Sequence, residues 1–427
     1  MENIYNNKLI SGLIFISIVP FLLLLSYTEM VGGLIPTLAS ISGLVGATML
    51  LWQLALGNRF IIALISPDYE TRIKLHKFLG IYGTLLIFFH PLLETYNYGW
   101  GLVLTIVPNL AIPFNQYIFL GKIAFGLFLT TWVTSALLRR KMPYRVWLYM
   151  HYLNYVMIFL VLIHSSFSGT FINSFSLLKT YWLFLTGVYF GLIIWRLAIV
   201  LNIGKARFTL KSKVEKASGV TVYVFKPLGK KLVPQVGQFF YIKSKFLGEA
   251  RPFTITQFNE ESGELTFGVK AVGRFTKGME GLKINDRVFI DGPYGLFTKE
   301  AQNTNPKVII AGGIGITPFV ELVKRFGDND TYMFYANREL KEAVYREMFQ
   351  KELKANYVDI ISQEKVQKPV ISGRITKEVL TSKMSKGFIK SAKFFVCGSP
   401  GFMAAVNGIL KELKVNNEDI YFEDFGF

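Results

Sequence analysis

The first half of the chain consists of long apolar runs separated by short polar connections. Six runs are close to the roughly 20 residues that a helix needs to cross a bilayer. The first run has neither a strongly basic start nor an A-x-A site that would mark a cleaved signal peptide. We therefore predict a six-helix membrane domain over residues 1–204, with spans at about 9–27, 33–56, 75–96, 117–138, 148–168 and 180–203.

The pattern changes after residue 204. Short β-rich runs such as VTVYVFK and ELTFGVKAV, separated by Gly and Pro, predict a small β-barrel over residues 205–302. Over residues 303–427 the runs alternate between strand and helix, as in KVIIAGG followed by ITPFVELVKRF. This alternation is typical of a parallel sheet, so we predict an α/β domain at the end of the chain.

Composition agrees with a membrane protein. Hydrophobic residues make up 51% of the 427 positions, which is too apolar for an ordinary soluble protein, so a lipid bilayer is an expected partner. The net charge of +18 suits anionic ligands or a membrane surface as well as nucleic acid, and we expect no nucleic-acid partner. The single cysteine, Cys397, excludes an internal disulfide and suits an enzyme that faces the cytosol.

The distribution of Lys and Arg predicts the orientation of the helices. Basic residues are concentrated at 57–74, at 139–145 and just after the last apolar run. The positive-inside rule places these segments and both termini in the cytoplasm. The segment 97–116, which is apolar but interrupted by Pro108 and Pro113, then faces outward, and we interpret it as a cap.

All four histidines of the chain, His76, His90, His151 and His164, lie in apolar runs. The first two are separated by about 21 Å of helix and nearly four whole turns, so their rings face the same way. The other two are about 20 Å apart, and their faces do not align on an ideal helix. Because both runs cross in the same direction, we expect His76 level with His151 and His90 level with His164. Two such pairs suit two bis-histidine b-type haems; ordinary interhelical hydrogen bonding is the alternative.

The predicted barrel contains two motifs that suit a diphosphate. RPFTIT occupies residues 251–256, and VKAVGRFT occupies 269–276. Arg251 can pair with a diphosphate, Gly273 allows close approach of the backbone, and Thr276 offers a hydroxyl and an N–H. A β-turn with a surface arginine is the alternative interpretation.

The α/β domain contains a glycine-rich turn, IIAGGIGITPF, at residues 309–319. A strand followed by a turn and a helix N-terminus favours a pyrophosphate, although a plain strand-to-helix turn explains the same letters. VCGSPGFM at 396–403 resembles a second strand end lining the same crevice, where Cys397 could equally be a small buried apolar residue. In the terminal YFEDFGF, a Phe could stack on a flavin or serve only in packing.

These motifs resemble those of the ferredoxin-reductase superfamily: RPFTIT and GRFT for FAD, GGIGITP and CGSPGFM for the nicotinamide nucleotide. Joined to a six-helix, four-histidine membrane domain, the whole chain resembles the NADPH oxidase and ferric reductase family. In size it is closest to the compact bacterial NADPH oxidase homologues. The resemblance implies a ferric-reductase-like bundle, a ferredoxin-reductase-like β-barrel FAD domain and an α/β nucleotide-binding domain. It also implies the pairing that ideal helix geometry left open for His151 and His164.

The resemblance assigns roles to individual residues. The inner haem would be bound by His76 and His151, and the outer haem by His90 and His164. FAD would be held by Arg251, Pro252, Phe253, Thr254, Lys270, Gly273 and Thr276. The nucleotide would be held by Gly312, Gly313, Gly315, Thr317, Pro318, Cys397 and Gly398. The reacting rings would lie near Thr254 and Cys397, with Phe425 or Phe427 shielding the flavin.

Arg338 bears on the choice of nucleotide. An arginine after the second strand of the α/β domain is placed to bind a 2′-phosphate, whereas Ala336 stands where NADP-selective relatives often have Ser. We therefore expect a weak preference for NADPH, with NADH also accepted. The alternative is a surface arginine paired with Glu339 or Glu342.

The activity implied by the resemblance is transfer of electrons from cytosolic NAD(P)H through FAD and two b-type haems. The acceptor would be oxygen at the outer face of the plasma membrane, producing superoxide, with no obligatory protein partner. The chain departs from the animal oxidases, since Glu94 replaces a histidine beyond the outer ligand and the second span lacks an arginine. Arg251 stands where many oxidases have His. A ferric or other metal reductase, and a haem-free membrane anchor or transporter fused to a flavin reductase, are the alternative functions.

Overall fold

The computed structural model describes residues 2–58, 69–295, 297–303 and 306–424. The chain divides into two compact units, Met1–Leu197 and Ala198–Phe427. The first unit is helical, and the second contains a barrel and a parallel sheet. The predicted fold class is confirmed.

Within the described residues, six helices are long and apolar enough to cross a membrane, as the hydrophobic pattern predicts. Their bounds are α1 Glu2–Leu22, α2 Leu34–Leu56, α3 Tyr69–Leu104, α4 Pro113–Trp132, α5 Tyr144–Ser168 and α6 Ser176–Val200. A 3₁₀ segment, Leu23–Val31, continues α1, and a π-helical turn, Val133–Leu137, continues α4. A short helical turn, Thr170–Ser174, joins α5 to α6. Apolar residues surround each span, as expected for helices that meet lipid or one another on every face.

Glycines allow α2 and α3 to approach closely. A Cβ added to Gly46 would lie 2.8 Å from the Ile87 side chain, and one added to Gly83 would lie 3.3 Å from Met49. Small residues at helix–helix contacts in membranes let the backbones come together, and the resulting van der Waals contact stabilises the pair.

The third helix is longer than the sequence predicts, but it is broken at Gly99, whose φ of 74° is not helical. Side chains of α4 hold the connection between α3 and α4. Asn115 donates to the Asn109 carbonyl at 3.0 Å, and Gln116 donates to the Leu110 carbonyl at 2.9 Å. The ammonium of Lys122 donates to two backbone carbonyls, those of Leu102 and Thr105. The segment interpreted as a cap is therefore tied to α4 rather than loose.

The barrel is closed, with strand order β1-β2-β5-β4-β3-β6. Its strands are β1 Ala206–Ala217, β2 Val220–Pro227, β3 Phe239–Lys243, β4 Arg251–Phe258, β5 Leu265–Lys270 and β6 Arg287–Tyr294. All neighbouring strands are antiparallel. Their inward-facing side chains fill the barrel with Phe208, Phe225, Phe240 and Phe267, each 0% exposed. A short helix, α7 Arg274–Glu280, follows β5.

The second sheet of this unit has the order β10-β9-β8-β7-β11-β12 and is parallel throughout. The strands are β7 Lys307–Gly312, β8 Thr331–Asn337, β9 Tyr357–Ile361, β10 Ile371–Ser372, β11 Lys393–Gly398 and β12 Ile420–Asp424. The helices are α8 Lys299–Asn303, α9 Phe319–Phe326, α10 Arg346–Leu353, α11 Lys377–Lys383, α12 Lys386–Ser391 and α13 Pro400–Glu412. The central strands are apolar and buried, as in sheets covered on both faces.

The barrel and the sheet meet at a small polar junction. Gly268 of β5 lies against Thr317 and the hydroxyl of Tyr345, since an added Cβ would lie 3.4 Å and 3.1 Å from them. That hydroxyl donates to Oγ1 of Thr256 in β4 at 3.3 Å, and burial raises the pKa of Tyr345, which keeps the donor protonated. This junction brings the end of the RPFTIT strand next to the start of α9.

Candidate functional site

The membrane unit brings the four histidines together as two pairs. The ring centroids of His76 and His151 are 6.1 Å apart, and those of His90 and His164 are 6.3 Å apart. Each pair joins α3 to α5. Two metal–nitrogen bonds together span about 4 Å, so rings at these separations are close enough to be two ligands of one metal ion.

Both histidines of the second pair are held in the same way by a neighbouring helix. Nδ1 of His90 lies 2.9 Å from the carbonyl oxygen of Ala39, and Nδ1 of His164 lies 2.9 Å from that of Tyr117. A carbonyl oxygen only accepts, so Nδ1 carries the proton and Nε2 is left with a free lone pair. Four residues after each carbonyl is a glycine, Gly43 or Gly121. An added Cβ there would lie 2.9 Å or 2.8 Å from the imidazole.

In the first pair, His76 also faces a backbone carbonyl, and only His151 is held differently. Nδ1 of His76 lies 3.2 Å from the backbone carbonyl oxygen of Gln53. The side-chain amide of Gln53 donates in return to the backbone carbonyl of His76 at 3.3 Å. Nδ1 of His151 has a side-chain partner instead, the hydroxyl of Ser135 at 3.3 Å. The indole of Trp147 donates to the same hydroxyl at 3.2 Å and stacks on the His151 ring with centroids 5.1 Å apart.

The residues that orient the histidines were not identified from the sequence. Gly43 and Gly121 carry a signal, because glycines inside membrane helices mark positions where another group approaches closely. Ser135 carries no comparable signal, since a serine in a membrane helix ordinarily bonds to its own helix backbone. Its role depends on the position of α5 relative to α4.

In the second unit, the two nucleotide motifs lie at adjacent strand ends. Strands β7 and β11 pair in parallel, with Ala311 opposite Cys397. The turn after β7 packs directly on β11, because a Cβ added to Gly315 would lie 2.5 Å from the Cys397 carbonyl oxygen. Gly312 and Gly398 both lie against the ring of Phe402, at 3.0 Å and 2.5 Å for an added Cβ. At the carboxyl edge of the sheet, these two glycines therefore make room for the Phe402 ring.

The remaining nucleotide-motif residues begin α9. Gly313 has a φ of 55°, a left-handed conformation that favours glycine. The hydroxyl of Thr317 donates to the Ile314 carbonyl at 3.1 Å, and Pro318 precedes the first turn of the helix. Cys397 is fully buried, so its side chain is a small apolar part of the core, and its backbone meets the glycine turn at Gly315.

In the barrel, RPFTIT forms β4. Thr254 is 3% exposed, and its hydroxyl has no hydrogen-bond partner in the part of the chain that the structure describes. Pro252 and Phe253 are half-buried beside it, and Arg251 forms an ion pair with Glu249 at 3.2 Å. A buried hydroxyl without a partner is costly, which indicates a group that Thr254 can bond to.

The other predicted flavin-binding residues already have partners. Lys270 forms an ion pair with Glu342 at 2.9 Å. The hydroxyl of Thr276 accepts from the backbone N–H of Val272 and of Gly273, at 3.1 Å and 3.0 Å. These contacts close the turn that leads into α7, so the turn is ordered by its own side chain.

Arg338 follows β8 and is exposed. The carboxylates suggested as its alternative partners bind elsewhere: Glu339 pairs with Lys341 at 2.6 Å, and Glu342 pairs with Lys270. Its position at the carboxyl end of a parallel strand is on the same edge of the sheet as the glycine turn.

Glu423 lies beside the strand end of the second nucleotide motif but was not selected from the sequence. It lies opposite Cys397 in the β11–β12 pair, and one carboxylate oxygen is buried without a partner among the described residues. Burial raises the pKa of Glu423 to about 8. At pH 7 the protonated form, which can donate a hydrogen bond, is therefore favoured over the carboxylate. Phe425 and Phe427, expected to shield a flavin, lie outside the described residues.

Three family models match successive parts of the chain. The ferric reductase like transmembrane component matches residues 42–162. The oxidoreductase FAD-binding domain matches 207–298, and the oxidoreductase NAD-binding domain matches 309–408. The last two ranges coincide with the barrel and most of the parallel sheet.

Individual relatives resemble parts of the chain. Flavohemoprotein A of Dictyostelium discoideum is 27% identical over 246 residues, which cover 51% of this chain and 60% of that protein. NADH-cytochrome b5 reductase 2-A of Vanderwaltozyma polyspora is 29% identical over 208 residues, covering 42% of this chain and 69% of that protein. Thus the chain spans less than two thirds of the length of flavohemoprotein A.

Among solved structures, the flavohem-like FAD/NAD binding domain of a nitric oxide dioxygenase from Vibrio cholerae is similar over 52% of this chain and 98% of that one. The identity is 22% and the TM-score 0.45. The family models match residues 42–162 of the helical unit and both parts of the second unit. The chain has the NADPH oxidase/ferric reductase-like architecture, a ferric reductase-like transmembrane domain followed by FAD-binding and NAD-binding oxidoreductase domains.

Proposed function

We propose that the chain is a transmembrane NAD(P)H oxidase that passes electrons from cytosolic NAD(P)H through FAD and two b-type haems to oxygen, forming superoxide at the outer face. The observation that carries this proposal is the pair of histidine pairs between α3 and α5, with ring centroids 6.1 Å and 6.3 Å apart. A flavin reductase that needed only a membrane anchor would have no use for them.

The donor set at each pair fits a haem. No cluster of three or more His, Cys, Asp or Glu side chains able to hold a metal ion occurs within the described residues. Each pair alone therefore offers two ligands, which suits a group that brings its own equatorial nitrogens. The carbonyls of Ala39 and Tyr117 hold the protonated Nδ1 of His90 and His164, so both Nε2 atoms are free to coordinate.

The second unit fits FAD and a nicotinamide nucleotide. Among the described residues, Thr254 and Glu423 present buried polar atoms without partners. Open space beside Gly313 in the glycine turn supports the approach of a pyrophosphate to the start of α9. Bound FAD supplies the conversion of a two-electron hydride donor into single electrons that haem can accept. Thr254 and the neutral carboxyl of Glu423 would hydrogen-bond to the bound rings, and Arg251 would pair with the FAD diphosphate.

The remaining assignments belong to the same proposal. Gly273, Thr276 and Lys270 would hold the FAD diphosphate. Arg338 would bind the 2′-phosphate of NADPH, which NADH lacks. Phe425 or Phe427 would cover the flavin ring. The basic connections, including residues 139–145, support a cytoplasmic location for both termini and the reductase domains, at the plasma membrane. No obligatory protein partner is part of this proposal.

A ferric or other metal reductase is the second candidate, and one contact favours it. Glu94 lies 3.9 Å from Nδ1 of His90 and accepts from Asn97 at 2.9 Å. A carboxylate at this end of the pair would attract cations. The apolar segment fastened by Lys122 favours a small neutral acceptor instead, because it limits the space available to a metal chelate.

The first test is a reduced-minus-oxidised absorption spectrum of the purified chain, with wild type compared with His90→Ala. Two haems per chain are expected in wild type and one in the variant, with reduction of flavin by NADPH unchanged. A chain without haem would leave only the membrane anchor with a fused flavin reductase. Full haem content in the variant would overturn the ligand assignment.

The second test identifies the acceptor. NADPH-driven reduction of external cytochrome c in detergent is measured with and without superoxide dismutase, beside anaerobic reduction of a ferric chelate. The oxidase predicts reduction that the dismutase suppresses. Dismutase-insensitive reduction together with rapid anaerobic reduction of the chelate would establish the metal reductase, and Glu94→Gln should then slow only the chelate reaction.

A further inference from the structure

Two residues at the start of the second unit, Val200 and Asn202, are hydrogen-bonded to the barrel beside one of its loops. The loop is residues 244–250, between β3 and β4. Asn202 is 7% exposed, and its amide donates to the Phe246 carbonyl at 2.8 Å. Lys243, 5% exposed, donates from Nζ to the carbonyl of Val200 at 3.0 Å. Two buried polar contacts therefore fix the loop at the level of the helix end.

The segments joined by these contacts both expose large apolar side chains. Leu201 is 48% exposed and Ile203 66%, while Phe246 is 53% and Leu247 73% exposed. We call these four residues the apolar patch. The Asn202–Phe246 hydrogen bond brings the two segments together, and exposed apolar side chains that lie close together mark an interaction site.

The position of the apolar patch identifies its partner. The candidate span Ser176–Val200 ends one residue before the patch begins. Residues in the turn after a span lie at the level of the lipid headgroups, and the Asn202–Phe246 hydrogen bond holds the loop at that same level. Apolar side chains there enter the boundary between headgroups and acyl chains.

Basic residues border the apolar patch. Lys245 is exposed within the loop. Lys205 lies two residues after Ile203, and the Nζ of Lys205 is 3.4 Å from Oδ1 of Asn202. Lysine stems lie along apolar surface while their ammonium groups reach water, and juxtamembrane cations are attracted to anionic lipids. A protein partner would need a complementary surface, whereas a leaflet with anionic headgroups meets both features where the span ends.

We propose that the apolar patch inserts into the leaflet at the end of α6, with Lys205 and Lys245 binding anionic headgroups. The loop leads directly into β4, which begins at Arg251. Insertion would therefore hold the start of the RPFTIT strand at the bilayer surface. The proposal rests on α6 crossing a membrane, and it does not depend on haem or on the identity of the acceptor.

The test places a nitroxide label at Leu247→Cys in the full chain, reconstituted in lipid nanodiscs. The native Cys397 is fully buried, so labelling in the folded protein is directed to the new cysteine. Val214→Cys is the matched control, because Val214 is 50% exposed and lies about 27 Å along β1 from Ala206. Flavin content verifies that each labelled protein is folded.

Electron paramagnetic resonance then compares access of dissolved oxygen, which concentrates in hydrocarbon, with access of a water-soluble nickel chelate. We expect oxygen to have the greater access at position 247 and the nickel chelate at position 214. Equal behaviour at the two positions, or a label at 247 shielded from both reagents, would overturn the proposal; shielding from both would point to a protein contact.

The contribution of charge is tested in nanodiscs of phosphatidylcholine with and without phosphatidylglycerol. We expect the preference for oxygen at position 247 to increase with the anionic lipid, and Lys245→Gln to reduce that increase. A preference of the same size in both bilayers would overturn the role assigned to the lysines.

Discussion

The hydroxyl oxygen of Ser135 lies 3.3 Å from Nδ1 of His151, whereas the other three histidines place Nδ1 near a backbone carbonyl. The amide nitrogen of Asn154 is 3.4 Å from the same Nδ1, but it donates to the His151 carbonyl and cannot accept a proton. His151 is therefore oriented by a side chain that a substitution can remove.

We expect Ser135→Ala to disturb the centre formed by His76 and His151. Removing the acceptor at Nδ1 makes the imidazole a weaker and less well oriented ligand, and loss of such a partner typically lowers metal affinity roughly 10–100-fold. Weaker donation from the ligand should also raise the reduction potential of the haem proposed at this centre. A potentiometric titration followed by visible absorption measures both effects.

Ser168→Ala is the control for this substitution. The hydroxyl of Ser168 lies 3.2 Å from Nδ1 of His164, but the Tyr117 carbonyl at 2.9 Å remains as the acceptor. We expect haem content and both potentials to stay near those of the wild type. Equal effects of the two serine substitutions would show that the hydroxyl of Ser135 does not orient His151.

Gly121→Ala should damage the other centre. The added Cβ would lie 2.8 Å from Nδ1 of His164, too close without moving the ring or α4. We expect haem content to fall from two per chain towards one, measured by pyridine haemochrome against protein. Gly126→Ala on the same helix meets nothing within 4 Å, and replacing an exposed helical Gly by Ala favours the helix by roughly 0.5–1 kcal/mol. That variant should retain both haems.

The pairing of the histidines could be predicted only in part. Their depth follows from rise per residue and from the direction of each span, and the structure brings the same two pairs together. The oxygen atoms at Nδ1 could not be predicted, because they come from helices whose rotation about their axes is set by packing. The role of Gly43 and Gly121 therefore becomes clear only when the structure shows the imidazole rings that face them.

A pH-dependent effect on stability is expected from Glu423. Burial raises the pKa of this carboxyl from 4.5 to about 8, so between those values the folded chain holds a proton that the unfolded chain has released. Stability therefore falls as pH rises through this window and levels off above it. Glu423→Gln should remove this contribution, and thermal unfolding at pH 5.5 and 8.5 measures it.

In a unit of the size of the second one, a change of 1 kcal/mol in stability shifts Tm by roughly 2–4 °C. Between pH 5.5 and 8.5, we expect the Tm of the wild type to fall by at least that much more than the Tm of Glu423→Gln. Glu418→Gln, an exposed carboxylate just before β12, should keep the wild-type pH dependence. If Tm falls by the same amount in the wild type and in Glu423→Gln between the two pH values, the carboxyl is not held neutral.

Arg338→Ala should reduce selectivity for NADPH. A charged hydrogen bond contributes roughly 1.5–3 kcal/mol, and exposure of Arg338 places the effect at the lower end, so kcat/KM for NADPH should fall roughly tenfold with little change for NADH. Lys341→Ala, which removes a nearby exposed cation paired with Glu339, is the control. An unchanged ratio of the two kcat/KM values in Arg338→Ala would exclude contact with the 2′-phosphate.

The reductase half was easier to predict in its fold than in its contacts. Glycine turns and the alternation of strand and helix patterns predict the barrel and the sheet, because these local backbone requirements can be identified from the sequence. Lys270 shows the limit, since its ion pair with Glu342 crosses from β5 to a segment that is distant in sequence. Glu423 was missed because its burial depends on how β12 pairs with β11.

The pairing of α3 with α5 has a consequence for biogenesis. Each histidine pair takes one member from Tyr69–Leu104 and the other from Tyr144–Ser168. A nascent chain that has inserted only its first four helices holds one half of each pair and cannot retain a ligand that needs both. Cofactor loading must therefore wait until the fifth helix has entered the bilayer. A group bound between the members of a pair would then join two helices that enter the bilayer at different times.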